Sequence, residues 1–256
     1  MILLADLGND AFSVAIYSDD KKKLYSYKTF TDKLKSESEY CASLTQFFTY
    51  QNINIDMIEG SLLSSVVPSL TKRIQRSIEE VTKTDCLVLN KTLKTGLAIR
   101  MDNPSEVGSD LLATAIGAYS NYHQDTLIID LSSVVSFTIV SEKKEFIGGL
   151  LFPGLKESSL NMMNNNAQLM DIDLETPKRL IGKSTKESMN SGIVNGYVSL
   201  IRSLSAGIEN EYKKPLIKVI TGSDSNIIKD LLPEYEHNQD LVFEGLFEIY
   251  IKNKVR

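Results

Sequence analysis

The chain has 256 residues, 42% hydrophobic and 24% charged, the proportions of a soluble globular protein with room for one large domain or two lobes of roughly 100 to 150 residues. Its net charge of −5 excludes a chain-wide basic field for nucleic acid, and Lys21-Lys22-Lys23 and Lys143-Lys144 sit among acids as solvated turns do. Two cysteines (Cys41, Cys86) make no disulfide framework, His123 and His237 lie at no zinc spacing from them, and no run nears the roughly 20 apolar residues that cross a membrane. With no basic leader before Ile2-Leu3-Leu4-Ala5, a reduced cytoplasmic location without membrane or nucleic-acid partners is expected.

Met1 to Tyr17 reads as a buried strand, a turn at Gly8-Asn9-Asp10 and a second strand, with turn residues that tolerate positive φ. Leu24 to Thr29 continues as a strand, Ser38 to Tyr50 as a helix, and Ile58 to Val67 as a strand stopped by Pro68. Leu70, Ile74, Ile78 and Val81 recur at helical spacing over Pro68 to Val81. Cys86 to Leu89 reads as a short strand and Val107 to Tyr122 as a helix of small residues.

The second half repeats the opening. Leu127-Ile-Ile-Asp130 is an apolar strand ending in aspartate, followed by a polar pair and a β-rich stretch to Val140. Laying Leu3–Ile16 over Leu127–Val140 matches Asp6 to Asp130 and puts Gly8 and Asn9 on Ser132 and Ser133, the pattern of a duplicated fold with a cleft between two lobes. A strand to Gly149, helices over about 155–169 and 185–212, a strand at Leu216 to Thr221, a short helix at Ser225 to Leu232 and a helix over 242–251 complete the chain. The lobes are expected at 1–118 and 119–256.

An aspartate at a strand end before a tight glycine-containing turn suits a phosphate site, because backbone N–H groups bind phosphate oxygens while the carboxylate holds a cation. Asp6 with Gly8 and Asn9 fits that description, and so does a plain hairpin in which Asp6 caps its own turn. The recurrence at Asp130 and a third strand-end loop, Thr221-Gly222-Ser223, favour the phosphate reading.

The ordered set Asp6-Leu-Gly-Asn-Asp10, Ser64-Ser-Val-Val-Pro68, Lys94 to Asp110 with its core Asn103-Pro-Ser-Glu-Val-Gly-Ser-Asp110, Gly148-Gly-x-x-x-Pro-Gly154, Ile181 to Ser188 and Ser191 to Gly196 resembles the type III pantothenate kinases along the whole chain, from Asp6 to Phe247. The resemblance implies an α/β, two-lobed, duplicated actin/sugar-kinase-like (ribonuclease H-like) fold with mixed central sheets flanked by helices. It implies transfer of the γ-phosphate of ATP to pantothenate, the first step toward coenzyme A, by a homodimer using Mg²⁺ and K⁺ or another monovalent cation such as NH₄⁺.

By the same resemblance Asp110 is the general base, and Asp6, Gly8, Asn9, Ser132, Ser133 and Gly222 bind the nucleotide phosphates. Asp6 would hold Mg²⁺ and Asp130 the monovalent cation. Met101, Gly108, Ser109 and Thr185 line the acceptor pocket, with Thr185 reaching in from a partner subunit. Asp110 also reads as a first-turn acid of its helix.

Several positions depart from the family pattern. Asp10 stands where a threonine is expected, and two carboxylates a few ångströms apart cost on the order of 1–4 kcal/mol at intermediate dielectric. Ser132 and Ser223 replace glycines, Val135 a threonine, Leu111 an arginine and Met101 a tyrosine. If Ser132 needs positive φ, the lost glycine costs roughly 1–2 kcal/mol. A second reading is therefore a catalytically impaired homologue that acts as a binding or regulatory subunit. The apolar stripe of 192–212 suits either a partner helix or the core of the second lobe, and Met162, Met163 and Met170 read as gap-filling core.

Overall fold

The computed structural model describes residues 1–166 and 168–254. In chain order the first elements are β1 (Ile2–Leu7), β2 (Ala11–Tyr17), β3 (Lys23–Phe30), α1 (Glu37–Tyr50), β4 (Gly60–Ser65), α2 (Pro68–Thr82), β5 (Cys86–Val88), β6 (Ala98–Ile99) and α3 (Ser109–Tyr122). Then follow β7 (Thr126–Leu131), β8 (Val134–Val140), β9 (Glu145–Pro153), α4 (Leu155–Asn164), α5 (Thr185–Tyr212), β10 (Ile217–Thr221), α6 (Ser225–Ile228), β11 (Glu236–His237) and α7 (Leu241–Asn253).

Two compact units emerge, Met1–Asn121 with the chain from Leu241 onward, and Tyr122–Asp240. In the first unit the strand order is β3-β2-β1-β4-β5, with β1 antiparallel to β2 and parallel to β4. Side chains alternate across a strand, so Leu3, Ala5 and Leu7 enter the cluster built with Tyr40, Leu44, Phe47 and Phe48 of α1 and Leu70, Ile74 and Ile78 of α2. Ile2, Leu4 and Asp6 therefore share the opposite face of β1. α1 begins at a capping box, in which the Ser36 side chain accepts from the Glu39 amide and Glu39 accepts from the Ser36 amide.

The second unit repeats this connectivity. Its strands run β9-β8-β7-β10-β11, with β7 antiparallel to β8 and parallel to β10. Each aspartate sits in the same place on its sheet: Asp6 pairs across to Ser13 and Ser64, Asp130 to Ser136 and Thr221. The duplication read from the sequence is thus present, with one correction to its register. Gly8 to Ala11 lie between the paired Leu7 and Phe12, but only Ser132 to Val134 lie between Leu131 and Val135. The second turn is one residue tighter, so the overlay of Leu3–Ile16 on Leu127–Val140 holds through the loop and slips on the second strand.

Three further expectations change. The chain from Leu241 onward belongs with the first unit and not with a 119–256 lobe, because α7 packs on β1 and β4. The helix expected over 155–169 ends at Asn164, and residue 167 lies outside the described residues. Met162 and Met170 are exposed and do not fill the core, since α4 buries the face that carries Leu155 and Ser159. On α5 the apolar stripe goes to the core: Ile193, Val194, Tyr197, Val198 and Ile201 are buried, while Gly192, Gly196, Ser199 and Ser203 face outward.

α3 and α7 cross at glycines. A Cβ on Gly245 would stand 1.8 Å from the Ala113 carbonyl oxygen, and one on Gly117 would stand 2.1 Å from that of Leu241. Backbone on both sides leaves nothing to give way. Gly245→Ala is expected to lower stability by about 1–3 kcal/mol, the usual cost of overpacking, read as a fall in the urea midpoint; an unchanged midpoint would mean the helices separate freely.

Candidate active site

In the first unit, β1 delivers Asp6 to the sheet end and hands the chain to a loop closed by a 2.9 Å bond from the Gly8 amide to the Ala11 carbonyl. Asn9 and Asp10 are exposed, so the Asp10 charge stands in water and its expected repulsion with Asp6 is screened. The hairpin is formed without using the positive φ that its turn residues tolerate, since Gly8 does not adopt it. The loop is also held from outside, in a way the sequence pattern did not signal. Thr31, just past β3, donates its amide to the Asp10 carbonyl at 2.9 Å and its hydroxyl to the Gly8 carbonyl at 2.7 Å.

Asp110 opens α3 in the same unit. Asn103 caps a 3-10 turn over Pro104–Glu106, and the helix begins three residues beyond it. Ser109 then fastens the helix start to β4: its hydroxyl lies 3.1 Å from the Ser64 hydroxyl, accepts from the Ser65 amide at 3.1 Å and reaches the Ser65 carbonyl at 3.1 Å. Because β4 pairs in register with β1, Asp6 beside Ser64 and Leu7 beside Ser65, this clasp ties Asp110 to the strand that carries the first loop. The hydroxyl expected to line an acceptor pocket is thus occupied with the backbone. Gly108 makes room for the carboxylate, since a Cβ there would fall 2.4 Å from Asp110 Oδ1. That oxygen accepts from the Leu111 amide at 2.8 Å. Asp110 is half-buried, and burial raises its pKa above the usual carboxylate range, partly opposed by the Leu111 amide. Met101 is half-buried on the same acceptor segment.

In the second unit, β7, the 132–134 turn and the loop after β10 converge. Ser132 donates to Asp130 Oδ1 at 2.6 Å, and the Asp224 amide donates to the Leu131 carbonyl at 2.8 Å. The Gly154 amide bonds the Ser133 carbonyl at 3.0 Å. Gly222 has φ +92°, and a Cβ there would meet Asp130 Oδ1 at 2.4 Å and the Leu131 amide nitrogen at 2.5 Å. Only glycine fits that position. By contrast, Ser132 and Ser223, which stand where glycines were expected, do not take positive φ. The strain anticipated at Ser132 is absent. Val135, also a departure, is fully buried in the core of this unit. Asp224, another residue without a signal in the sequence, is buried and paired at 2.8 Å with the exposed Lys156. Thr185 is exposed in the first turn of α5, after the N-cap Ser184.

The geometry is that of two strand-end aspartates, each beside a tight polar loop, and a third, raised-pKa aspartate fixed to the first of the two sheets. The chain's residues 2–207 match the family model described as type III pantothenate kinase. A type III pantothenate kinase from Sulfurihydrogenibium sp. (strain YO3AOP1) is 32% identical over 248 residues, covering 96% of this chain and 98% of that protein. The glucokinase of the ROK family from Streptomyces griseus, solved with glucose and AMPPNP, superposes with a TM-score of 0.55 at 12% identity, covering 97% of each chain. The activator of 2-hydroxyisocaproyl-CoA dehydratase from Clostridium difficile, solved with ADPNP, does so with a TM-score of 0.55 at 9% identity, covering 98% of this chain and 93% of that one. The two solved structures bear on fold alone, and they place the chain in the actin/sugar-kinase-like class.

The raised pKa of Asp110 has a stability consequence. A carboxyl whose folded pKa lies above its unfolded one stabilises the fold while protonated, and that contribution is lost as pH rises through the folded pKa. At neutral pH the buried ionised group is therefore a net cost. Asp110→Asn is expected to unfold at a higher urea midpoint than wild type at pH 7, with the difference shrinking as the pH is lowered toward the carboxylate range; a variant less stable at both pH values would contradict this.

Proposed function

The chain belongs to the type III pantothenate kinase family, and from that premise we propose that it transfers the γ-phosphate of ATP to the primary hydroxyl of pantothenate, the first step toward coenzyme A. The observation that supports this reading is the Ser109 clasp that ties Asp110 to β4: a proton acceptor of raised pKa is fixed beside the strand that neighbours β1, which carries Asp6 next to its end. Phosphoryl transfer has a loose transition state, so the protein's task is to position groups and neutralise charge. Asp110 takes the proton of the attacking hydroxyl. Asn9, Ser132, Ser133 and Gly222 hold phosphate oxygens beside Gly8, whose own amide closes the loop on Ala11, and Met101, Gly108 and Thr185 surround the acceptor, next to Ser109, whose hydroxyl stays on β4.

The donor set suits hard cations. Asp6 and Asp130 offer oxygen alone, and among the described residues no group of three or more His, Cys, Asp or Glu forms a metal cage. Mg²⁺ fits such a place, because it keeps waters and shares substrate phosphates in preference to an all-protein cage. In the proposed arrangement Asp6 holds Mg²⁺, and Asp130, with Ser132 already bonded to one oxygen, holds K⁺ or NH₄⁺. When bound, these ions neutralise charge on the phosphates.

The two glycine replacements among the departures from the family pattern fall where the backbone tolerates them. Glycine remains where φ and contact demand it, at Gly222, and is lost where they do not, at Ser132 and Ser223. This favours a working enzyme over the impaired binding or regulatory subunit. No described helix is long and apolar enough to cross a membrane, and we place the enzyme in the cytoplasm. We also propose a homodimer. A groove of about 440 Å³ along α5 is lined by Ser188, Gly192, Asn195, Gly196 and Ser199 beside the exposed Leu180 and Ile181, a face narrow enough for a second helix. Thr185 is exposed at the start of that helix, as a residue serving a partner's pocket must be.

The test is a coupled ADP-release assay with pantothenate, Mg²⁺-ATP and K⁺. Wild-type turnover should depend on pantothenate, and Asp110→Asn should lower kcat by about 10²–10⁴-fold, the usual contribution of a positioned general base. Because the base must be ionised, kcat/KM should fall as pH drops through the raised pKa of Asp110. A folded protein without pantothenate-dependent turnover, or a fully active Asp110→Asn variant, would overturn the reading.

A further inference from the structure

We infer that Thr31 is a positioning residue for the first phosphate loop, a role that rests on reading Gly8 to Asp10 as a nucleotide-phosphate site. The loop has little to hold it from within. Asn9 and Asp10 are exposed, and Gly8 is free of steric demand, since a Cβ there would meet only the Ala11 carbonyl oxygen at an ordinary 3.5 Å. A glycine in such a place adds conformational freedom that something else must remove.

Thr31 removes it. Its amide bonds the Asp10 carbonyl at 2.9 Å and its hydroxyl the Gly8 carbonyl at 2.7 Å, so both ends of the loop's polar stretch are tied to one residue. The first bond continues the β2–β3 pairing, in which Ala11 faces Phe30, and any residue would make it. The second needs a hydroxyl at this position.

Thr31 is itself anchored on the core. The next residue, Asp32, donates its amide to the Tyr40 hydroxyl at 3.2 Å and accepts from that hydroxyl at its carbonyl at 2.8 Å, and Tyr40 is fully buried. Arg73 of α2 holds the following turn through the carbonyls of Lys33 and Lys35 at 3.2 and 2.6 Å. A continuous chain of bonds thus runs from the buried Tyr40 ring through Asp32 and Thr31 to the loop. The Thr31 proton is committed to Gly8, so the hydroxyl acts through the loop and not as a donor to phosphate. It compensates for the threonine hydroxyl missing at Asp10 by fixing the loop amides in place.

Three full-length proteins decide the matter: wild type, Thr31→Val, which keeps the shape and loses the hydroxyl, and Thr31→Ser, which restores it. Calorimetric Kd for Mg²⁺-ATP is measured beside kcat and both KM values. The Val variant should bind ATP about tenfold more weakly, the factor of one net hydrogen bond, with KM for ATP raised alike and KM for pantothenate unchanged. The Ser variant should return to wild-type affinity. Unchanged ATP affinity in the Val variant, or a Ser variant as weak as Val, would overturn the inference, the latter by assigning the effect to methyl packing. A wild type that binds ATP but does not phosphorylate pantothenate would sink the proposed reaction and leave the Thr31 comparison readable in Kd alone. A wild type that binds no ATP would overturn both.

Discussion

The parallel pairing of β1 with β4, and the Ser109 hydroxyl that seizes the end of β4, fix the chemistry of the first unit. Backbone ladder bonds set Asp6 beside Ser64 and Leu7 beside Ser65, and a one-residue slip would turn Asp6 into the apolar face that Leu3, Ala5 and Leu7 occupy. With that register set, three contacts of one serine with Ser64 and Ser65 determine where α3 begins. The carboxylate one residue later inherits its position. Burial then raises its pKa, which makes it a better proton acceptor at some cost in stability.

The second unit uses the same strand pattern for a different end. Its turn is one residue tighter and carries no carboxylate, and Asp130 is crowded by the Gly222 backbone and bonded by Ser132. The two aspartates occupy equivalent sheet positions in unlike surroundings: the first borders an exposed loop braced from outside by Thr31, the second a packed junction of two loops. Duplication supplied the framework, and local packing gave the two aspartates different surroundings.

Much of this was legible in the sequence because it rests on short-range patterns. Strand alternation, the helical spacing of Leu70, Ile74 and Ile78, and Pro68 as a stop signal all follow from local geometry, and the motif residues Asp6, Asp130 and Gly222 lie where strand ends put them, with Asp110 in the first turn of its helix. What stayed hidden depends on contacts between distant residues. Nothing near Thr31 announces a bond to Gly8, and nothing near Leu241 shows that α7 returns to β1 and β4. The buried Asp224 with its Lys156 partner was silent for the same reason. The glycine replacements misled in the other direction: their cost depends on φ, which composition does not report, and the φ values proved ordinary.

The clasp makes a kinetic claim that separates it from a direct contact between Ser109 and substrate. Ser109→Ala should remove all three contacts and let the start of α3 drift. The most direct measurement is therefore the steady-state kinetics of this one variant with Mg²⁺-ATP and pantothenate. If the clasp positions Asp110, kcat should fall by up to about a hundredfold, the scale of a 1 Å misplacement of a catalytic group, with KM for pantothenate little changed. A variant with wild-type kcat and a raised KM for pantothenate would make Ser109 a substrate ligand and contradict the account.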